Sequence, residues 1–102
     1  MMDIRKTDIF VKWLDKLKDR RARARVLARI DRLEMGYFGD VRPVGEGVSE
    51  LRIFYGPGYR IYFIQHNSVL ILLLFGGDKQ AQQIDIVKAK KIAKKIEKQL
   101  EQ

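Results

Sequence analysis

The sequence of 102 residues contains no cysteine, one histidine and only two prolines. Without cysteine there is no disulfide framework, no thiolate zinc site and no thiol nucleophile. A lone histidine, His66, excludes a paired-imidazole acid–base system and any His-rich metal site. No Gly-rich phosphate loop or dinucleotide fingerprint is present. Ser49 and Ser68 lack a nucleophile-elbow setting, and Asp78 and Asp85 form no two-metal pair. The longest apolar run, Val69–Phe75, falls well below the roughly 20 residues that span a bilayer. Met1–Phe10 carries Asp3, Arg5, Lys6 and Asp8, which does not read as a leader peptide. What remains is a chain 46% hydrophobic, enough for a core, with 21 Lys and Arg against 13 Asp and Glu. These features predict a single domain over residues 1–102, cytoplasmic and without a membrane segment, whose net charge of +8 suits a polyanionic partner.

The hydrophobic spacing gives an order of elements. Met2–Lys6 reads as a short edge strand. Thr7 or Asp8 then caps a helix whose Phe10, Trp13, Leu14 and Leu17 share one face. Asp19 caps a second helix running to about Met35, with an apolar stripe of Val26, Leu27, Ile30 and Leu33 and with Gly36 placed to stop it. Helices joined so closely form an antiparallel pair.

After Gly36 the period changes to two. A short strand is expected at Val41–Val44, then strands at Val48–Tyr55, Tyr59–Gln65 and Val69–Phe75. Gly56-Pro57-Gly58 and His66-Asn67-Ser68 supply the turns between the last three. The last strand is apolar on both faces and belongs in the interior of the sheet. Gly76-Gly77 should end it, with Asp78 capping a final helix whose Ile86, Ala89, Ile92, Ala93, Ile96 and Leu100 lie on one side. The expected class is α+β: a short N-terminal strand, a two-helix hairpin, an antiparallel β-meander and a C-terminal helix. All helices are expected on one face of the sheet, leaving the other for a ligand.

Three groups of cations are candidates for binding. Arg21, Arg25, Arg29 and Arg32 form a stripe along the second helix, able to track phosphates or simply to face solvent. Lys88, Lys91, Lys95 and Lys98 do the same on the last helix, where a solvated face is the simpler explanation. Arg52, Arg60 and Lys79 come from separate strand ends, and their convergence would make an anion site beside a helix N-terminus. Such a site fits metal-independent attack by an RNA 2′-hydroxyl. That reaction needs a cation on the phosphorane, a proton acceptor and a proton donor. Arginine stays protonated and matches phosphate in shape, whereas lysine acts as a base only if its pKa falls.

Several blocks carry a family resemblance. Phe10-x-x-Trp13-Leu14, Met35-Gly36-Tyr37-Phe38-Gly39-Asp40, Val44–Arg52, Tyr55–Tyr62, Leu73–Lys79 and Gln82-x-x-Asp85-Ile86-x-x-Ala89 follow one another over almost the whole chain. Together they resemble the addiction-module killer proteins, the HigB-like branch of the RelE/ParE toxin superfamily. The resemblance implies a RelE-like fold and the toxin of a type II toxin–antitoxin system. That toxin would be a ribosome-dependent mRNA endonuclease (mRNA interferase) needing no cofactor and no metal. Its partners would be the ribosome, mRNA and a cognate antitoxin, HigA-like with a helix-turn-helix DNA-binding fold. It also implies roles: Arg60 on the phosphate, Arg52 as the basic residue of the preceding strand, Lys79 assisting the leaving group or phosphate, and Gln82 and Asp85 as motif residues of the branch. RelE's tyrosine near the chain end has no counterpart, since Ile84-Asp85-Ile86 stands there, nor does the C-terminal histidine of HigB-like proteins. The base is therefore unassigned among Tyr55, Tyr59, Tyr62 and Asp85. The alternatives are a ParE-like inhibitor of DNA gyrase and a non-catalytic nucleic-acid-binding module.

Overall fold

The computed structural model describes residues 1–100, and the side chain of Leu100, expected on the apolar side of the last helix, falls outside the described part. The strands are β1 (Asp3–Lys6), β2 (Val41–Gly45), β3 (Val48–Ile53), β4 (Tyr59–His66) and β5 (Leu70–Asp78). The helices are α1 (Asp8–Asp15), α2 (Arg20–Glu34) and α3 (Gln82–Leu100). The strands form one sheet in the order β1-β5-β4-β3-β2, with β1 parallel to β5 and the other neighbours antiparallel. The α+β class, the helical pair, the meander and the C-terminal helix are as the sequence predicts.

Local chemistry sets the helix ends. Thr7 caps α1 by accepting from the Phe10 amide at 3.0 Å, while its own hydroxyl donates to the Leu74 carbonyl at 2.8 Å and ties the helix start to β5. Asp19 caps α2 by accepting from the amides of Arg21 at 2.9 Å and Ala22 at 3.2 Å. The Ala22 contact is the largest influence holding its carboxyl below the ordinary range. Gly36 follows the C-cap of α2 with φ +89°, a left-handed geometry that suits glycine. The buried stripe of α2 is Ala22, Val26, Ile30 and Leu33. Leu27 does not belong to it and is 40% exposed, because it lies a quarter turn from Val26.

On one face of the sheet, α1 and α2 bury Phe10, Leu14, Val26, Ile30 and Leu33 against Leu51, Ile53, Ile61, Phe63, Ile71 and Leu73. Burying one such side chain contributes about 1.5–3 kcal/mol. The expectation that all helices share this face fails for α3. It covers part of the opposite face, packing Ala89 and Ala93 on Val48, Tyr62, Ile64 and Leu74. Its alanines are short enough to let the helix sit close to the strands.

Three boundaries also differ from the expected ones, the first two for one reason. Gly76 and Gly77 do not end β5 but pair with Ile61 and Arg60 as part of it. A Cβ at Gly76 would overlap the Trp13 ring of α1, and a Cβ at Gly77 would overlap the Asp85 carboxylate of α3. The glycines thus bring helices onto both faces of one strand. Asp78 is accordingly the last residue of β5 rather than the N-cap of a helix. It accepts from the Ala81 amide at 3.2 Å and so closes the turn that leads into α3. β3 likewise stops at Ile53, leaving Phe54 and Tyr55 in the connection to β4.

Candidate nucleic-acid interface at one end of the sheet

The pairing register brings two of the three proposed site cations together. Arg52 at the end of β3 lies directly opposite Arg60 at the start of β4, and Arg60 lies opposite Gly77 at the end of β5. Period-two alternation puts Glu50, Arg52, Arg60 and Tyr62 on the face that α3 partly covers. Lys79 does not open a helix. It stands in the turn after β5, its amide donating to the Gly58 carbonyl at 2.7 Å, and its side chain is exposed.

The two arginines have different surroundings. Arg60 is only 5% exposed and forms an ion pair with Glu50 at 3.4 Å. Gln82 of α3 donates to both oxygens of the same carboxylate, at 3.1 and 2.9 Å. The sequence reading offers Arg60 only as a cation of an anion site, whereas β3 supplies its counter-ion from two residues before Arg52. Glu50 is the residue that reading misses. Its one signal in the sequence is a carboxylate two residues before Arg52, which alternation puts on the same face of β3. Arg52 is more open. Its Nε is 3.8 Å from Asp40, and its guanidinium lies 5.4 Å from the centre of the Phe54 ring. The Nε atoms of Arg52 and Arg60 and the Tyr62 hydroxyl are buried without a hydrogen-bond partner among the described residues.

The candidate bases are spread over distinct environments. The Tyr55 hydroxyl points to Asp19, 3.4 and 3.2 Å from its two oxygens, and Arg25 lies 4.7 Å over the Tyr55 ring. That tyrosine therefore fastens the start of α2. Burial raises the Tyr59 hydroxyl above its usual range, and its ring meets Trp13 edge-on at 6.3 Å. Burial raises Tyr62 much further, and the nearby Glu50 charge adds to the effect, so its phenolate is strongly disfavoured at neutral pH. Asp85 is buried in the space left by Gly77, and its carboxyl is raised by desolvation, an effect that Lys88 opposes and Asp78 reinforces.

The arginine stripe of α2 is not uniform. Arg21, Arg25 and Arg32 are exposed. Arg29 turns inward, donating to the carbonyls of Arg52 at 2.8 Å and Phe38 at 3.2 Å and filling the space beside Gly39. Burial pulls its pKa below the ordinary arginine value. It clips α2 to the end of β3 beneath the site. On α3, Lys88 sits 5.7 Å over the Phe75 ring, Lys91 and Lys95 are exposed, and Lys90 and Lys94 reach Glu46 at 3.9 and 3.3 Å. No helix among the described residues is long and apolar enough to cross a membrane.

Comparison with known proteins agrees with this architecture. A solved structure of Escherichia coli toxin RelE, a mutant in the free state, superposes with a TM-score of 0.64. It covers 81% of this chain and 88% of that one at 15% identity. The fold is thus that of the RelE/ParE toxins. A protein of Haemophilus influenzae named only as uncharacterized is 48% identical over 95 residues, 93% of this chain and 96% of its own length. Residues 12–98 match the model of the phage-derived Gp49-like proteins (DUF891), and the chain belongs to that family.

Proposed function

We propose that the protein is the toxin of a type II toxin–antitoxin pair and acts as a ribosome-dependent mRNA endonuclease of the HigB-like kind. The observation that carries this reading is the pairing of Arg52 with Arg60 at one end of the sheet, with Glu50 beside them and Lys79 on the adjoining turn. In the proposed reaction the 2′-hydroxyl loses its proton and its oxygen bonds to phosphorus. The P–O5′ bond breaks, and the departing 5′-oxygen takes up a proton, leaving a 2′,3′-cyclic phosphate and a 5′-hydroxyl. Arg52, the more open arginine, meets the incoming phosphate. Arg60 reaches it by exchanging one oxyanion for another, releasing Glu50 for the phosphate. Glu50, then without its cation, is the proton acceptor, and Lys79 assists the leaving oxygen. Gln82 positions Glu50, and Asp85 seats the start of α3. Arg21, Arg25, Arg32, Lys88, Lys91 and Lys95 form the surface that meets RNA and the ribosome, and a helix-turn-helix, HigA-like antitoxin neutralises the toxin in the cytoplasm.

The test is expression with mapped mRNA cleavage in a translating extract. Wild type should cut, and Arg52→Ala and Lys79→Ala should each lower cleavage by at least tenfold while keeping the fold. Undiminished cleavage by both would refute the assignment. The burial of Arg60 against Glu50 favours one second reading, in which that pair is structural and the protein is a binding toxin that inhibits DNA gyrase as ParE does. Inhibited supercoiling with intact mRNA would select it.

A further inference from the structure

A line of hollows runs from the proposed phosphate site past the strand ends of the sheet to the C-terminal end of α2. It begins as a hollow of about 320 Å³ between Lys79 and Phe54, at the 55–58 turn. Phe54 is also the wall of a second hollow, of about 260 Å³, against Arg25 and Arg32 of α2. Arg29 and Arg32 then pass into a third, of about 600 Å³, whose outer rim carries Met35 and Tyr37. The three hollows are neighbours: Phe54 borders the first two, and Arg29 and Arg32 border the last two.

The lining is unusual for a solvated surface. Phe54 is 73% exposed and Tyr37 66%, although nearly all the other aromatic side chains are packed into the two cores or against them. Arg52 lies against the Phe54 ring, which leaves much of that ring open toward the hollows. Exposed aromatic rings alternate with cations along the line: Lys79, Phe54, Arg25 and Arg32, then Tyr37. The carboxylate in the line, Asp40, is directed to Arg52. Flat rings spaced between cations suit a chain that presents both phosphates and bare base faces. A duplex hides its base faces, and an acidic peptide would use the cations but not the rings.

We propose that this line of hollows is a track for single-stranded RNA, in which Phe54 and Tyr37 stack bases while Arg25, Arg32 and Lys79 take phosphates. The choice of RNA over DNA rests on the nuclease reading above. Arg29 is the floor of the track rather than a ligand, since both terminal nitrogens are spent on carbonyls.

Binding is separable from cleavage by using a labelled 2′-O-methyl oligouridine, which has no free 2′-hydroxyl to attack with, followed by fluorescence anisotropy over a salt series. Wild type should bind, and Phe54→Ala should weaken binding by roughly tenfold or more with an unchanged salt slope. Phe54→Trp should retain affinity. Arg32→Ala should weaken binding and lower the salt slope by about 0.7. Thermal melts of the variants should match wild type, because both side chains are exposed. Wild-type affinity in Phe54→Ala overturns the track. So does equal binding by Phe54→Leu and Phe54→Trp, which would mark an apolar protein-docking face, and so does a preference for oligothymidine. Retained oligouridine binding alongside uncut mRNA in the extract refutes the nuclease and leaves the track standing.

Discussion

The two faces of the sheet are held by different physics. Under α1 and α2 the buried side chains are large and apolar, led by Phe10, Leu33, Leu51 and Phe63. Under α3 the helix contributes Ala89 and Ala93, and the same side of the sheet buries Glu50 and Arg60, with Asp85 coming down from the helix. Apolar area on the first face is favourable whatever its neighbours do. On the second, Glu50 and Arg60 are tolerable only while each keeps the other, and Asp85 is buried at a cost. One face is a foundation, and the other is a closed polar joint whose stability depends on the start of α3.

That contrast can be broken most strongly from the apolar side. Phe10→Ala should cost about 3–5 kcal/mol, much of the stability of a domain this size, and is read as a collapse of the urea midpoint. On the polar side the cost should come from unpairing rather than from lost area. Glu50→Leu leaves Arg60 buried alone and should cost about 3 kcal/mol, whereas Glu50→Leu combined with Arg60→Met should recover most of it. A double variant as unstable as the single one would refute the idea of a joint. Gly77→Ala drives a methyl into Asp85 and should cost about 1–3 kcal/mol. Its hydrogen-exchange signature should be faster exchange in α3 with α1 and α2 spared.

The smallest effect is in pH dependence. Burial raises the Asp85 carboxyl above its ordinary value of 3.8, so the folded state binds its proton more tightly than the unfolded chain. Its contribution is therefore fully present below pH 3.8 and is lost as pH rises through the folded value. Asp85→Asn should gain a few degrees of melting temperature at neutral pH relative to wild type and nothing in strong acid. Melts at the two pH values check the sign.

The apolar foundation was legible in the sequence because periodicity reports which residues point together. Phe10 with Leu14, and Ile61 with Phe63, follow directly from spacings of 3.6 and two. The polar joint was legible only in part. Spacing places Arg52 and Arg60 on outward-facing registers, but which carboxylate comes within reach of Arg60 depends on how β3 and β4 pair, and alternation does not fix register. The path of α3 was hidden for another reason. Its docking on the far side of the sheet depends on Gly77 lacking a side chain, and a pair of glycines after an apolar run ordinarily signals a strand end. Arg29 shows the limit of reading a charge stripe: its helical phase matches that of Arg25 and Arg32, and only the loop at Phe38 and Gly39 turns it inward.

The parallel pairing of β1 with β5 has a consequence for the order of events during synthesis. Asp3 pairs with Leu70, so the first strand made must wait, unpaired, until the last strand of the sheet has been translated. Contacts this distant along the chain form late and slow folding. Arg52 and Arg60 face each other once β3 and β4 exist, but Gly77, which seats the helix above them, arrives with the end of β5. A nascent chain therefore stays unfinished at its proposed site until most of its length has been made. At ordinary translation rates of about 5–20 residues per second, that leaves an interval of several seconds in which a co-translated partner could reach β3 and β4 before α3 does.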